Sequence, residues 1–469
     1  MHRSLFHAAA FTAAVLSFNV HAQDGTPDAS FGTGGRTFVA VNPIEGEHLR
    51  PSALAVLPDG RLLFTGTRNK IDPARPWEPH ERAIVARLSS NGIPDAGFGD
   101  DAAYPGVVVL PELAALTRTY QGEAIVPLAD GHLIVAGSID TFTGSYGFIV
   151  RTDAQGNVDG TFGDRGKVLL PAVALHALAR DSQGRIVVAG DKVGGTPLYR
   201  GIVLRFSADG VPDAGFGSNG AVELLQREGG EVLDRNTNAM ALAVMPDDRI
   251  LVGGQAQYPD PALIDNYDFS VARLDANGQF DASFAGDGWA VFPSPGGPKD
   301  WEGVTRFVYD AASGKVIAVG FHKPDEDHVF IALARLGDDG ALDTTYGPGS
   351  TAGFSLLDLG AGATYQYVYG AAAQADGKLV LAVQQASGGA GDFVVARIQA
   401  NGKADPSFGN AGVVVVDVAP TGVYDMTIGL ALQSESIVVL GQSKRSPTNP
   451  QIEASLVRLG APLLVDGFE

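Results

Sequence analysis

The chain has 469 residues, 61 of them glycine, no cysteine and a net charge of −20. The missing cysteine excludes a disulfide framework, a thiol nucleophile and a lipid-bearing cysteine. The acidic balance argues against nucleic acid and anionic membranes as partners and suits solubility outside the cell.

The N-terminus reads as a secretory leader over residues 1–22. Arg3 supplies the basic start, Leu5 to Phe18 a mostly apolar run, and Val20-His21-Ala22 a small-residue cleavage site. The run is short for a membrane span, and no second long apolar run follows, so no membrane span is expected. The mature protein is expected to start at Gln23 and to be secreted or periplasmic.

From there on the chain repeats itself. A linker motif, D-x-x-F-G or a close copy, recurs with Phe31, Phe98, Phe162, Phe216, Phe284, Tyr346 and Phe408, 54 to 68 residues apart. An arginine precedes the motif's aspartate by eight residues in the pairs Arg87–Asp95, Arg151–Asp159, Arg205–Asp213, Arg273–Asp281, Arg335–Asp343 and Arg397–Asp405. Arg458 has Asp466 at the same distance. The constant spacing predicts a rigid connection.

Each unit also holds a hairpin, as in LAVLPDGRLLFTG (Leu54–Gly66) and AAAQADGKLVLAV (Ala371–Val383). Asp-Gly between two apolar runs signals a tight turn whose centre needs positive φ. Asp247-Asp248 and Ser434-Glu435 depart from that pattern. The apolar runs are short and bounded by Gly, Pro, Asn and Asp, with no helical period, which predicts an all-β chain.

The DG-[KR]-ϕϕϕ-x-G hairpin, together with the ϕ-x-x-A-R-ϕ strand and the NG-x-x-D-x-x-F-G linker that follow one another in Phe393–Val416, resembles the delta-60 repeat family of secreted bacterial proteins. That resemblance implies a β-propeller and leaves catalytic residues open. The strand order also looks like that of NHL-type propellers.

Four strands per unit give seven blades over residues 23–462. The predicted ranges are Ser52–Leu110, Gly122–Leu170, Leu175–Leu225, Ala239–Phe292, Val304–Leu357, Tyr369–Val418 and Thr427–Leu459. The seventh lacks its last strand, whereas Gly35–Val41 follows a linker with no blade before it. The N-terminal strand is therefore expected to complete blade seven and close the ring. Residues 463–469 form a short tail, in which Asp466 and Phe468 imitate the linker.

The short loops of fixed length fall on one face and the variable loops on the other, where recognition usually sits. The variable loops hold Trp77, Tyr120, Tyr146, Tyr199, Tyr258, Tyr267, Trp301, Tyr365, Tyr367 and Tyr424. Those rings either cover loop backbone or form a stacking surface for sugars or peptides. The repeated Arg–Asp pairs read as scaffold, because a catalytic group is normally needed once. His176, at the start of a blade's first strand, either serves as a wall residue or supplies a general base to the channel. Asp275–Gly278 and Asp338-Asp339-Gly340 offer oxygen ligands to calcium but read first as turns, and Asp325-Glu326-Asp327-His328 reads as a solvated loop.

No nucleophile, metal-protease or phosphate-loop motif is present. The sequence therefore predicts a non-catalytic, monomeric binding propeller for an extracellular glycan, peptide or protein, with no cofactor. The alternative is a hydrolase or lyase acting on an extracellular polymer at the channel mouth.

Overall fold

The structure, a computed structural model, describes residues 25–39, 47–70, 80–99, 104–114, 117–193, 199–257, 266–292, 301–311, 313–325, 327–347, 353–360, 365–386, 392–418, 425–444 and 451–460. The described residues are all-β, with no helix. No helix long and apolar enough to cross a membrane occurs among them.

Antiparallel four-stranded sheets follow one another along the chain. The first is Glu47–Val56, Leu62–Lys70, His80–Leu88 and Val107–Val109. The second is Thr117–Pro127, Leu133–Thr141, Gly144–Thr152 and Lys167–Pro171, and the third is Val173–Arg180, Ile186–Lys192, Arg200–Phe206 and Ala221–Leu224. The fourth, Ala241–Val244, Ile250–Gln257, Tyr267–Leu274 and Trp289–Phe292, joins the fifth through the single parallel pair Tyr267 and Trp301. The fifth is Trp301–Asp310, Lys315–Lys323, Phe330–Leu336 and Phe354–Leu357, and the sixth is Tyr365–Ala373, Leu379–Ala386, Phe393–Ile398 and Val413–Val416. Asp425–Gln433, Ser436–Ser443 and Glu453–Leu459 make the last, with Arg36–Val39 paired antiparallel to Glu453–Leu459 as its fourth strand.

The core lies between sheets. One cluster puts Phe64 and Ile84 of the first sheet against Val438, Leu440 and Leu456 of the last. Others join first to second, second to third, and so on to sixth with last. Alternate side chains of each strand thus face opposite neighbours, which explains apolar runs without polar alternation. Innermost strands pack in sequence, Glu47–Val56 on Thr117–Pro127 and onward, and Asp425–Gln433 packs on Glu47–Val56.

The linker is a joint between sheets. In seven copies an arginine Nε donates to an aspartate Oδ2 at 2.7 to 2.9 Å. The arginine also reaches the next sheet: Arg151 Nη1 donates to Ala208 O at 2.9 Å and Arg335 Nη1 to Ala400 O at 2.7 Å. The motif's aromatic ring lies under the guanidinium, as Phe216 does 4.3 Å from Arg205. It also presses on a turn glycine of the following sheet. At Gly278, φ +79°, an added Cβ would sit 2.8 Å from Phe216, so only glycine fits.

Arg458 corrects the sequence reading. Its partner is Asp28, with Nε to Oδ2 at 2.8 Å, and its Nη1 donates to Ser90 O of the first sheet at 2.8 Å. Asp466 lies outside the described residues. Asp248 takes the positive φ that the turn glycine would give, +64°, whereas Ser434, φ +53°, opens a shorter two-residue turn between the paired Gln433 and Ser436.

Candidate functional site

Six of the seven inner strands start earlier than expected, and the fourth starts later, at Ala241 instead of Ala239. Glu47–Pro51 precedes the predicted Ser52 and pairs with Gly66–Lys70. Between the two halves of the inner strand the register slips by one residue. Such bulges skip Ser52, Glu123, His176, Thr305, Tyr369 and Ile428. In the fourth sheet pairing of the first strand begins at Ala241, Met240 stands at the place of the skipped residue and lines the same cavity, and the Ala239 N–H donates to Asp191 Oδ1 at 2.9 Å.

The hairpin's terminal glycine allows this. A Cβ at Gly66, Gly137, Gly190 or Gly320 would lie 2.2 Å or less from the backbone oxygen of Arg50, Gln121, Ala174 or Gly303. Only a missing side chain lets that carbonyl approach, and the bulge then re-aims the skipped residue. Val383 holds the corresponding place in the sixth sheet, opposite Val368.

The re-aimed residues meet. Ser52, Glu123, His176, Thr305, Tyr369 and Ile428, one from each of six sheets, line a cavity of ≈ 480 Å³. Asp191, Arg306 and Tyr367 share it.

His176 Nε2 lies 3.1 Å from Asp191 Oδ2. Burial pulls the imidazolium down, but the Asp191 hydrogen bond and charge, with the Glu123 charge, outweigh it and leave His176 above the ordinary histidine value. Burial pushes the Glu123 carboxyl up, more than His176 and Arg306 pull it down. The arrangement places a His–Asp hydrogen bond and a carboxyl with a raised pKa in one cavity, the two kinds of group that acid–base chemistry uses. The expected result for Asp191→Asn is a His176 titration, followed by NMR, that moves to lower pH. A titration that stays in place would remove Asp191 as its cause.

The ten aromatic residues divide. Tyr367 reaches the cavity and packs edge-on against Phe321 at 5.7 Å. Trp301, 44% exposed, tilts over Tyr267 at 6.2 Å. Tyr199 is exposed and Tyr365 partly buried. Tyr120 is fully buried against Phe148 at 4.7 Å, and Tyr146 packs on the same core between first and second sheets. Trp77, Tyr258 and Tyr424 lie outside the described residues. Tyr120, Tyr146, Tyr267, Trp301, Tyr365 and Tyr367 sit in strands instead of loops, because hairpin pairing continues past the bulge.

Other candidates are committed locally. Asp275 Oδ1 accepts the N–H groups of Asn277 and Gln279 at 2.8 Å, and Asp339 Oδ1 that of Ala341 at 3.0 Å. His328 Nδ1 lies 2.8 Å from Asp325, while Glu326 lies outside the described residues. His322 is buried against Glu302 at 2.6 Å. The structure also gathers Asp392, Asp417 and Asp425, a carboxylate group without any signal in sequence spacing. The bulged residues carried a signal in five of the six sheets: each directly follows the residue paired with the hairpin's last glycine.

Four segments, residues 128–162, 182–216, 246–284 and 374–408, match the model of a family described as a domain of unknown function (DUF5122) beta-propeller. No curated protein matches the sequence. Among solved structures, the polysaccharide lyase Uly1 is similar at 12% identity and a TM-score of 0.50, over 94% of each chain. A family PL25 ulvan lyase bound to its saccharide matches at 9% identity and a TM-score of 0.48, over 94% of this chain and 96% of that one. At such identity the likeness concerns the fold. Each matched segment ends on a linker aromatic, and the propeller-like sheets agree with the beta-propeller description of the family those four segments match.

Proposed function

We propose that the seven sheets form one ring of seven blades, closed by the N-terminal strand, and that the ring binds an extracellular glycan over its channel mouth. The leader-like residues 1–22 support a location outside the cytoplasmic membrane, and the delta-60 repeat resemblance supports the ring. Closure rests on the pairing of Arg36–Val39 with Glu453–Leu459 and on Arg458 holding both Asp28 and Ser90.

The observation that carries the glycan reading is the convergence of bulged residues from six inner strands on one cavity rimmed by Tyr367. A concave pocket with few aimed polar groups and a flat ring at its edge suits a sugar. Trp301→Ala with Tyr367→Ala is expected to weaken binding of a polysaccharide at least tenfold, measured by affinity electrophoresis, with an unchanged melting temperature. Asn277→Ala, on the opposite turns, is expected to leave binding alone. Binding lost from Asn277→Ala and kept in the double variant would assign the wrong face.

A second reading, a lyase or hydrolase at the same mouth, is favoured by the His176–Asp191 pair standing beside Glu123. In the lyase form neutral His176 would take a proton from a sugar C–H and protonated Glu123 give one to the leaving oxygen, as the C–O bond breaks and a C=C bond forms. Release of new chain ends from a bound polysaccharide, lost in His176→Ala, tests it.

A further inference from the structure

We infer that Arg306 is the receptor for a single carboxylate of an acidic sugar residue seated in the channel mouth. This inference rests on the glycan reading above.

Arg306 follows the bulged Thr305 and lines the cavity. Its Nη1 donates to Thr305 O at 2.6 Å and its Nη2 to Tyr369 O at 3.1 Å. Those carbonyls belong to the inner strands of the fifth and sixth sheets, so the guanidinium plane is held across the gap between them. A guanidinium has five N–H donors, and these bonds use only part of them. The linker arginines each have an aspartate at 2.7 to 2.9 Å. Arg306 has none within ion-pair distance among the described residues and meets Glu123 only through space. Burial is strong enough to pull its guanidinium below the ordinary arginine value. Holding a cation in that state costs free energy that an arriving anion offsets.

The surrounding charges select the anion. Glu123 and Asp191 face the cavity as carboxyl groups, against Arg306 and His176 as cations. One added negative charge has a partner there; a phosphate dianion meets two opposing carboxylates. The planar fork of arginine fits a carboxylate with two parallel bonds. Tyr367 and Phe321, at the same cavity, offer the sugar ring a flat apolar surface.

The test is calorimetry on the full mature chain, with a trisaccharide carrying one glucuronate and with the methyl ester of the same trisaccharide. The wild type is expected to prefer the acid by about tenfold or more. Arg306→Gln is expected to bind both equally, at the wild-type affinity for the ester, and Arg306→Lys to recover part of the preference. Because Arg306→Gln loses two backbone contacts, Glu123→Gln gives an independent measure: it removes an opposing carboxylate and is expected to raise affinity for the acid. Acetate is expected to compete, and inorganic phosphate to compete poorly. Equal affinities in the wild type, a preference that survives in Arg306→Gln, weaker acid binding in Glu123→Gln, or phosphate competing as well as acetate each overturn the assignment. If neither trisaccharide binds, the glycan reading itself fails; if both bind equally, only the role of Arg306 fails.

Discussion

Deleting residues 1–41 is expected to abolish cooperative unfolding and to cause aggregation. The deletion strips Glu453–Leu459 of the four-residue pairing with Arg36–Val39, leaving an exposed sheet edge. It also removes Asp28 from Arg458, which is fully buried, and Phe31, also fully buried, from beneath its guanidinium at 4.9 Å. An uncompensated buried charge costs about 3–5 kcal/mol, and the lost Phe burial adds about 2 kcal/mol. Together these rival the whole stability of many proteins, about 5–15 kcal/mol. Asp28→Asn isolates the ionic part and is expected to lower the melting temperature without aggregation. Light scattering and thermal melts decide it. A truncated protein that stays monomeric and melts like the parent would refute the proposed closure.

Arg273→Ala is expected to destabilise the protein by about 3 kcal/mol and to leave ligand binding unchanged. Arg273 is 3% exposed. It donates to Asp281 at 2.8 Å, to Ser283 Oγ at 2.8 Å and to Asp338 Oδ1 at 3.0 Å, and lies 4.8 Å over Phe284. Its removal leaves Asp281 with Arg249 at 3.9 Å as a poor substitute. Burial pushes the Asp281 carboxyl up, but the Ser283 hydroxyl and amide with Arg273 outweigh it and hold the pKa below the ordinary aspartate value. A depressed folded pKa contributes stability that is full above the unfolded value and is lost as pH falls through the folded one. The gap between wild type and variant is therefore expected to be full at neutral pH and to narrow below about pH 4. Urea melts across that range measure it. Lost binding at an unchanged melting temperature would overturn the scaffold role.

Much of the fold was legible because its signals are local. Asp-Gly turns, short apolar runs and the invariant eight-residue Arg–Asp spacing each act within one hairpin or linker. Repetition then marks them as scaffold, and the structure accordingly puts each linker arginine on an aspartate, with Arg151 and Arg335 among those that also reach the next sheet. The spacing offered Arg458 only Asp466, and its partner Asp28 comes from 430 residues away, which no local spacing shows.

By itself the sequence determined the strands, the turns and the linker, since steric demands on φ and short-range pairing need no distant neighbour. It also marked the N-terminal strand as lacking a blade of its own. The tertiary structure decided which aromatic rings are core and which are surface: Tyr120 is fully buried between two sheets, while Trp301 stays exposed. It decided, too, that Glu123, His176, Arg306 and Tyr369, spread over the second, third, fifth and sixth sheets, share one cavity. Packing inner strands side by side brings residues far apart in sequence into one place, and the bulges, five of the six beside a hairpin glycine, aim them inward. That meeting depends on the arrangement of whole sheets, which no local spacing encodes.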